Sequence, residues 1–424
     1  MNHFAVIAPP FPSHFKALEA VAIELLDRGH RVTFFQQSDC RRWLVDPRIG
    51  FFAVGAQSHP PGSLAKVLRR AARSDNPLML RGVIVDMARA TDMLCRELPQ
   101  ALEQTGIDAL LCDQMEAAGG LLGEAMALPW VSLACALPIN REPGLPLPVM
   151  PFDLPQDARA EAVCYYSERV YDWMMQPSRR VVRRHAKRLR LTARDSLHEC
   201  LSPYAQISQT LPSFDFPRRA LPAEFHHTGP FRTQAPEPED LPAFDATRPL
   251  IFASLGTLQG HRERLFTRIA SACKRLDVQL AVAHCDGLDA QACERLQAAG
   301  TTLVDNFYPQ LKMLARANVA VTHGGLNTVM DAISTGTPML AVPIAFDQAG
   351  VAARIAAARL GLRMNRNTSV DNFEYALQQL LERPWPGLSV LERELSEAGG
   401  VRRAVDIIES VAQGQRALDR EHVA

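Results

Sequence analysis

The amino-acid sequence predicts an α/β protein built from two doubly wound domains that face each other across a cleft. A chain of 424 residues exceeds one ordinary hydrophobic core, which favours two domains of roughly 200 residues each. Short apolar runs alternate with amphipathic segments near the N-terminus, and the same alternation restarts at residue 250. A stretch rich in proline and acidic residues, 233–249, separates the two series and predicts an interdomain linker.

The first series, which we assign to a domain of residues 1–232, begins with a buried strand at residues 4–8. After a loop, Phe15, Leu18, Val21 and Leu25 share one helical face, and Gly29 is the residue type that commonly ends a helix. Further strands are predicted at RVTFF (31–35), DALLCD (108–113) and WVSLACA (130–136). In a doubly wound sheet of this kind, ligands bind beyond the carboxyl ends of the strands.

The second series predicts a domain of residues 250–412 in which strands and helices alternate in the same way. Strands are expected at LIFASLG (250–256), VQLAVAHC (278–285) and NVAVTH (318–323). Helices are expected at 262–276, 326–336 and 348–361, and further helical segments follow Val370. Residues 413–424 are expected to form a polar tail.

Composition excludes several classes of function. Lys and Arg together number 46, as do Asp and Glu, so binding to nucleic acid is not indicated. The basic segment 179–190 is interpreted as a solvated helix face, with a basic patch as the alternative. The nine cysteines are scattered without a C-x-x-C pair, which fits a reducing cytoplasm. No signal peptide or membrane-spanning stretch is predicted, so we expect a cytoplasmic protein that at most contacts the inner membrane surface.

The most informative segment contains a histidine followed by two glycines. A strand is expected to end at Thr322, Gly324 and Gly325 form the turn, and a helix starts near Leu326. The free N–H groups at the start of a helix, together with its dipole, suit a phosphate group. His323, Asn327 and Thr328 add side-chain donors at the same place. The segment therefore predicts a site for a nucleoside diphosphate.

The same segment resembles the nucleotide-sugar signature of family 1 UDP-glycosyltransferases, which have the two-domain GT-B fold. The matching residues, in order, are Phe307, Pro309, Gln310, Leu314, His323, Gly324, Gly325, Asn327, Thr328, Asp331, Gly336, Pro338, Pro343, Asp347 and Gln348. A histidine and two glycines alone would be a weak signal. Many matched positions over some forty residues make the resemblance specific.

This resemblance implies a role for each donor-site residue. Phe307 would stack on the uracil, and Asp331 stands where the family usually has a glutamate that binds the ribose. The diphosphate contacts would come from His323, Asn327 and Thr328, and from the small-residue loop containing Ser254, Gly256 and Thr257. Asp347 and Gln348 match the acid–amide pair on the hexose hydroxyls. Taken singly, Phe307 could instead pack in the core, and Asp347 or Thr328 could cap a helix.

A catalytic base is also expected, because an alcohol that attacks a sugar must lose its proton near the transition state. His14 follows the first strand, and the family resemblance places the catalytic histidine in this loop. Asp113 follows the strand at 108–113 and fits the carboxylate that orients it. Direct displacement by this pair would invert the anomeric carbon. The alternative is that both residues serve only as loop or capping residues.

No cofactor and no metal ion are expected. The sequence lacks a D-x-D motif, which glycosyltransferases that depend on a divalent metal usually carry. The helix N-terminus and His323 would take the place of the ion. We therefore predict transfer that is independent of metal.

The acceptor is less well determined by the residues. The apolar, proline-rich segment 130–152 could line a pocket for an apolar alcohol or serve as a packed connection. Nearly the whole chain resembles the carotenoid-glucosylating members of the family, through segments at 5–18, 58–72, 91–102, 132–143 and 252–262. That resemblance implies UDP-glucose as donor and the ring hydroxyls of zeaxanthin as acceptors, giving mono- and diglucoside. It also implies transient contact with a membrane surface.

Three alternatives stay open at this stage. A family 1 enzyme could act on another apolar alcohol, such as a macrolide, a sterol or a flavonoid. A nucleotide-sugar-binding protein without catalysis would not need His14 and Asp113 beside the cleft. An epimerase of the same fold would not account for the pair Asp347 and Gln348.

Overall fold

Two parallel β-sheets organise the chain. The computed structural model describes residues 1–74, 76–233 and 241–421. Part of the predicted linker 233–249 and the last three residues of the predicted tail lie outside the described residues. Within the described part, each sheet is covered by helices on both faces, and no helix is long and apolar enough to cross a membrane.

The first sheet has seven strands in the order β3-β2-β1-β4-β5-β6-β7, and all neighbouring strands run parallel. Its strands are β1 His3–Ile7, β2 Arg31–Gln36, β3 Gly50–Ala53, β4 Ala109–Asp113, β5 Trp130–Ala134, β6 Gln206–Ser208 and β7 Phe225–His227. The helices between them are α1 Pro12–Asp27, α2 Leu64–Ala71, α3 Pro77–Thr105, α4 Ala117–Ala125, α5 Ala158–Met174 and α6 Gln176–Arg188, with short 3₁₀ helices at Ser38–Trp43 and Leu197–Cys200.

The second sheet has six parallel strands in the order β10-β9-β8-β11-β12-β13. Its strands are β8 Leu250–Ser254, β9 Gln279–Ala283, β10 Leu303–Asp305, β11 Val319–Thr322, β12 Met339–Ala341 and β13 Gly361–Arg363. The helices that follow are α7 Gly256–Gln259, α8 Glu263–Arg275, α9 Ala290–Ala299, α10 Gln310–Arg316, α11 Leu326–Ser334, α12 Gln348–Ala357, α13 Val370–Glu382, α14 Pro386–Glu397 and α15 Gly400–Glu421.

The central strands are apolar along their whole length because both faces of each sheet are covered. Every residue of β1, β4, β5, β8 and β9 is buried. Such strands show no alternation of polar and apolar residues, which is typical of parallel sheets between two helical layers. The predicted fold class, two doubly wound α/β domains, is confirmed.

The last helix returns to the first sheet. Ala404, Val405 and Ile408 of α15 pack in the same hydrophobic core as α1. On the surface, Arg28 donates to the carboxylates of Asp406 and Glu409 at 2.7 and 2.9 Å. The predicted range 250–412 placed these residues in the second domain, and α15 also continues through 413–421, where a polar tail was expected. Sequence order did not indicate this return, because the apolar face of α15 fits a core on either sheet.

Part of the basic segment 179–190 is neutralised within the first domain. It lies mostly in α6, where Arg179 and Arg183 donate to the carboxylate of Asp195 and Arg184 pairs with Asp92. The remaining side chains follow the expected solvated face, since Arg180, Lys187 and Arg188 are exposed.

Strand register brings the predicted site residues to one edge of each sheet. In the first sheet, Ile7 of β1 pairs with Cys112 of β4, so the segments that follow these strands are neighbours. In the second sheet, Thr322 of β11 pairs with Ser254 of β8 and with Ala341 of β12. The chain segments carrying the predicted residues therefore leave adjacent strands at the carboxyl edges, where ligands bind in this type of fold.

A candidate active site between the two sheets

A histidine and an aspartate meet at the carboxyl edge of the first sheet. Phe11 is extended and Pro12 occupies the first helical position, so His14 lies in the first turn of α1. Asp113 is the last residue of β4, on the strand next to β1. Nδ1 of His14 donates to Oδ2 of Asp113 at 2.6 Å, and the Asp113 side chain is fully buried. This bond orients the imidazole so that Nε2 is the nitrogen available to a ligand.

Opposing effects determine the charge of His14. Burial lowers the pKa of His14, whereas the carboxylate of Asp113, its hydrogen bond and the charge of Asp347 raise it; the net shift is upward. The arrangement therefore stabilises an imidazolium, the form that a histidine base takes after it has accepted a proton. The other Asp113 oxygen accepts the backbone N–H of Met115 at 2.8 Å, which fixes the carboxylate.

Cys135 is a third member of this cluster that sequence reasoning missed. Among the described residues, the ligand atoms of His14, Asp113 and Cys135 lie within 4.8 Å of one another, a set that could hold a metal ion. Burial and the nearby Asp113 carboxylate raise the pKa of the Cys135 thiol. The thiol is also within hydrogen-bonding reach of the Asp113 carboxylate, so Cys135 is a further neighbour of the carboxylate that holds His14. In the sequence, Cys135 is a single cysteine after a strand, and nothing around it indicates that it lies next to His14 and Asp113.

On the second sheet, His323 is held in a slot between two glycines. A Cβ atom at Gly256 or at Gly325 would lie 2.7 Å from Cε1 of the His323 ring. Gly256 also has φ of +71°, in the left-handed region that favours glycine. Burial lowers the pKa of His323 to about 4. The ring is therefore neutral near pH 7, and its Nδ1 has no hydrogen-bond partner within the described chain.

The N-terminus of α11 lies beside this ring. Gly325 precedes the helix and has no side chain to cap it. Oδ1 of Asn327 accepts a hydrogen bond of 3.0 Å from Nε2 of Gln209, a residue of the first domain. Thr328 donates to Gln310 at 3.4 Å. The helix start thus presents backbone N–H groups and the Thr328 hydroxyl at the cleft, while Asn327 also joins the two domains.

Asp331 has protein partners on both carboxylate oxygens. Nε of Arg232 donates to Oδ1 at 2.8 Å, and Nε2 of Gln310 donates to Oδ2 at 2.5 Å. Arg232 also donates to the carbonyl oxygen of Asn327 at 2.8 Å. Arg232 was not among the predicted site residues, because nothing in its sequence neighbourhood marks it. The predicted ribose contact of Asp331 would have to compete with this network.

Asp347 extends from the second sheet toward the first. It precedes α12 without capping it, so capping does not account for the side chain. Its Oδ2 accepts the backbone N–H of Leu137 at 3.4 Å. Burial raises the pKa of Asp347, and the charge of His14 acts against that rise. Asp347 and His14 therefore interact electrostatically across the cleft.

Gln348 has a structural role beside its predicted one. Its Oε1 accepts the backbone N–H groups of Ile344 and Ala345, both at 2.9 Å. These two bonds shape the loop between β12 and α12 that presents Asp347.

The remaining predicted residues lie around the same edge of the second sheet. Ser254 ends β8 and its hydroxyl accepts the Gly256 N–H at 3.5 Å, while Thr257 is the second residue of α7. The side chain of Phe307 is 58 % exposed, so it does not pack in the core. The structure therefore brings the predicted donor-side residues to one edge, with Phe307 at its surface.

The part of segment 130–152 around Leu145 and Pro148 packs between the two domains. Leu145 and Phe216 pack against Ala353 of α12, and the Pro148 carbonyl lies where a Cβ at Gly350 would be 2.0 Å away. A cleft also opens in the first domain beside the segments that follow β1 and β2. It is lined by Pro10, Gln37, Ser58, His59, Ser63, Lys66, Val67, Arg70, Asp86, Met87, Arg89 and Ala90.

Comparison with known proteins gives a consistent result. The family described as "UDP-glucoronosyl and UDP-glucosyl transferase" matches residues 6–386. The chain is 49 % identical to the zeaxanthin glucosyltransferase of Pantoea ananas, covering 99 % of this chain and 98 % of that protein. It is 45 % identical to the zeaxanthin glucosyltransferase of Pseudescherichia vulneris, covering 99 % and 100 %.

Solved structures share the fold. The glycosyltransferase of kitacinnamycin superposes with a TM-score of 0.74 at 20 % identity, covering 97 % of this chain and 99 % of that one. The calicheamicin glycosyltransferase gives a TM-score of 0.67 at 18 % identity, covering 97 % and 98 %. These likenesses identify the two-domain architecture as the GT-B fold.

Proposed function

This chain belongs to the family of UDP-glucoronosyl and UDP-glucosyl transferases, and we propose that it transfers glucose from UDP-glucose to the ring hydroxyls of zeaxanthin. The protein is a glycosyltransferase. The identity of the acceptor is supported by the two relatives that carry this activity in their names, at 49 % and 45 % identity over nearly the full chain. A symmetric diol would give the monoglucoside first and then the diglucoside.

The observation that carries the mechanism is the bond of 2.6 Å between His14 and Asp113 at the cleft. Nε2 of His14 takes the proton from the acceptor hydroxyl as its oxygen forms a bond to C1 of glucose. The bond between C1 and the diphosphate oxygen breaks, and UDP leaves with that electron pair. Asp113 stabilises the imidazolium that results. Attack opposite the leaving group inverts the anomeric carbon.

The departing diphosphate is bound by groups on the second sheet. Backbone N–H groups at the start of α11 and the hydroxyls of Thr328, Ser254 and Thr257 donate to its oxygens. His323 contributes a neutral imidazole, since its pKa is about 4. A neutral ring donates one hydrogen bond without adding a positive charge. Asp347 and Gln348 bind hexose hydroxyls, and the exposed ring of Phe307 stacks on the uracil.

Transfer proceeds without a metal ion in this proposal, and one experiment tests that step. Purified protein treated with excess EDTA should keep its full rate, because helix N–H groups and side-chain donors supply the charge stabilisation. Loss of activity on chelation, restored by added Mg²⁺ or Mn²⁺, would contradict it.

The activity itself is tested with UDP-glucose and zeaxanthin dispersed in detergent, followed by chromatography of the carotenoid products and measurement of released UDP. We expect monoglucoside to appear first and diglucoside later. A carotenoid without ring hydroxyls is the matched control acceptor and should give no product. Glucosides formed from flavonoids but not from zeaxanthin would refute zeaxanthin as the acceptor and would leave the glycosyltransferase activity intact.

A further inference from the structure

Helix α5 carries an apolar stripe that nothing in the described chain covers. Val163, Tyr166, Val170 and Trp173 are spaced three, four and three residues apart, which places them on one face of the helix. Each of these side chains is between 45 % and 66 % exposed. Cys164 is the one buried residue of α5, so the helix projects from the domain with its apolar face outward. Contiguous exposed apolar surface of this kind marks a binding face.

The stripe continues onto the start of α3. Leu78 and Met79 are exposed there, and the guanidinium of Arg81 lies 5.7 Å from the ring centroid of Trp173. On α5, Tyr165 packs edge-on against Tyr166. The α5 patch, as we define it, consists of Leu78, Met79, Val163, Tyr165, Tyr166, Val170 and Trp173.

The chemistry of the patch fits the surface of a lipid bilayer. Trp and Tyr concentrate at membrane interfaces, because their rings are apolar while each carries one polar atom. Arginines accompany the rings: Arg81 lies over Trp173, and Arg169 lies over Tyr165 at 5.9 Å. Such side chains reach the headgroups while their stems stay on apolar surface.

The charges at the patch favour anionic headgroups. Arg81, Arg159 and Arg169 are exposed on or next to the patch, but α5 and its N-cap also carry Asp157, Glu161, Glu168 and Asp172. The basic excess comes from α6, which contacts α5, contains no acidic residue and exposes Arg180, Lys187 and Arg188. Basic residues next to an apolar helix face are attracted to anionic lipid.

The patch is connected to the candidate active site. Arg141 donates two hydrogen bonds to Asp172 of α5, at 2.5 and 3.1 Å, and lies 5.7 Å from the Tyr171 ring centroid. Arg141 belongs to the same connection as Leu137, whose N–H reaches Asp347. Two short chain segments therefore link the exposed stripe to the cleft.

We propose that the α5 patch docks the enzyme on an anionic bilayer surface, where it takes up an acceptor dissolved in lipid. The inference rests on the proposed function for the identity of that acceptor. The docking itself depends only on the patch.

Flotation with phospholipid vesicles tests the docking. Wild-type protein should float with vesicles that contain phosphatidylglycerol, and less with pure phosphatidylcholine. Replacing Val163, Tyr166, Val170 and Trp173 by serine should lower the vesicle-bound fraction at least about ten-fold. The matched control is Tyr375→Ser with Val390→Ser in the second domain, where the side chains are 62 % and 59 % exposed. The control should float like wild type.

Several results would overturn the proposal. One is that wild-type protein floats with neither type of vesicle. Another is that the four-serine variant floats as well as wild type. A dimer in solution that the same variant dissociates would also overturn it, because the patch would then face a second copy. If the four-serine variant fails to fold by circular dichroism, Trp173→Ser alone replaces it, with the same direction expected.

Transfer to zeaxanthin in detergent separates the two proposals. The patch variants should keep that activity, because detergent replaces the bilayer. Flotation without any glucoside formation would refute the acceptor and leave the docking intact. Glucoside formation without flotation would refute the docking and leave the acceptor intact.

Discussion

The two halves of the candidate active site each contain one half-buried histidine, and their surroundings give the two rings opposite properties. His14, beside the first sheet, donates a hydrogen bond to Asp113 at 2.6 Å and interacts electrostatically with Asp347. The pKa of His14 is therefore raised, although burial acts to lower it. His323, on the second sheet, sits between glycines without a carboxylate partner, and burial lowers its pKa to about 4. One ring is prepared to accept a proton, and the other remains neutral.

The contrast shows that burial alone does not decide the charge of a histidine. Desolvation disfavours the charged form in both places, and only the neighbouring carboxylates reverse its effect at His14. In the proposed reaction, the first domain supplies the base and the second supplies neutral donors for the diphosphate. The following predictions test this division, from the largest expected effect to the smallest.

The largest effect on turnover is expected for His14→Ala. Removing a general base should lower kcat about 10²–10⁴-fold. Binding of UDP should change little, because its contacts come from the second sheet. Steady-state kinetics and UDP titration measure the two effects separately. Near wild-type turnover in this variant would assign the base to another group.

The buried ion pair between the two domains, Arg354 with Asp215, should contribute to the stability of the fold. Nε of Arg354 on α12 donates to Asp215 at 2.6 Å, and both side chains are almost fully buried. Arg354→Met removes one charged hydrogen bond but leaves Asp215 paired with Arg218, so it should cost about 1.5–3 kcal/mol of unfolding free energy in urea. Arg363→Met, which removes an exposed pair with Asp153, is the matched control and should cost less than about 1 kcal/mol. Equal losses would show that burial of the pair does not matter.

His323→Ala should weaken UDP binding about ten-fold, which corresponds to the loss of one hydrogen bond. This loss should be the same between about pH 6 and 8, because a group with a pKa of about 4 does not titrate there. Calorimetric titration at several pH values measures both features. A loss that grew as the pH fell would mean that the ring binds in its charged form.

The smallest expected effect is a shift in the pH profile of Asp113→Asn. A base must be neutral to act, so wild-type activity should rise with pH and reach half its maximum above 6.5, the ordinary pKa of histidine. Without the Asp113 carboxylate the pKa of His14 falls, and the midpoint should move to lower pH while kcat decreases. An unchanged midpoint would mean that the observed titration belongs to another residue.

The sequence predicted most of the second half of the site, because its residues lie close together in the chain. His323, Gly324, Gly325 and Thr328 follow one strand, and a local pattern is enough to place them at a helix start. His14 and Asp113 are 99 residues apart, and the family resemblance, rather than a local pattern, predicted that the two residues form a pair. Their hydrogen bond follows from the register of β1 with β4.

Contacts between distant segments were not predictable in the same way. Arg232 binds Asp331 from 99 residues away, and Arg354 binds Asp215 from 139 residues away. The residues next to each arginine in the chain do not indicate that it forms an ion pair, because its carboxylate partner belongs to the other domain. The α5 patch was equally hidden, because apolar residues at helical spacing predict a buried face as readily as an exposed one.

The sequence by itself determined the two-domain α/β architecture, the turn that would bind the diphosphate and the candidate base, because these depend on local periodicity and on residues close in the chain. Only the tertiary structure decided the charges of the two histidines, the return of α15 to the first sheet and the exposure of α5. Those properties depend on which distant groups pack together, since desolvation and electrostatic interactions act through space rather than along the chain.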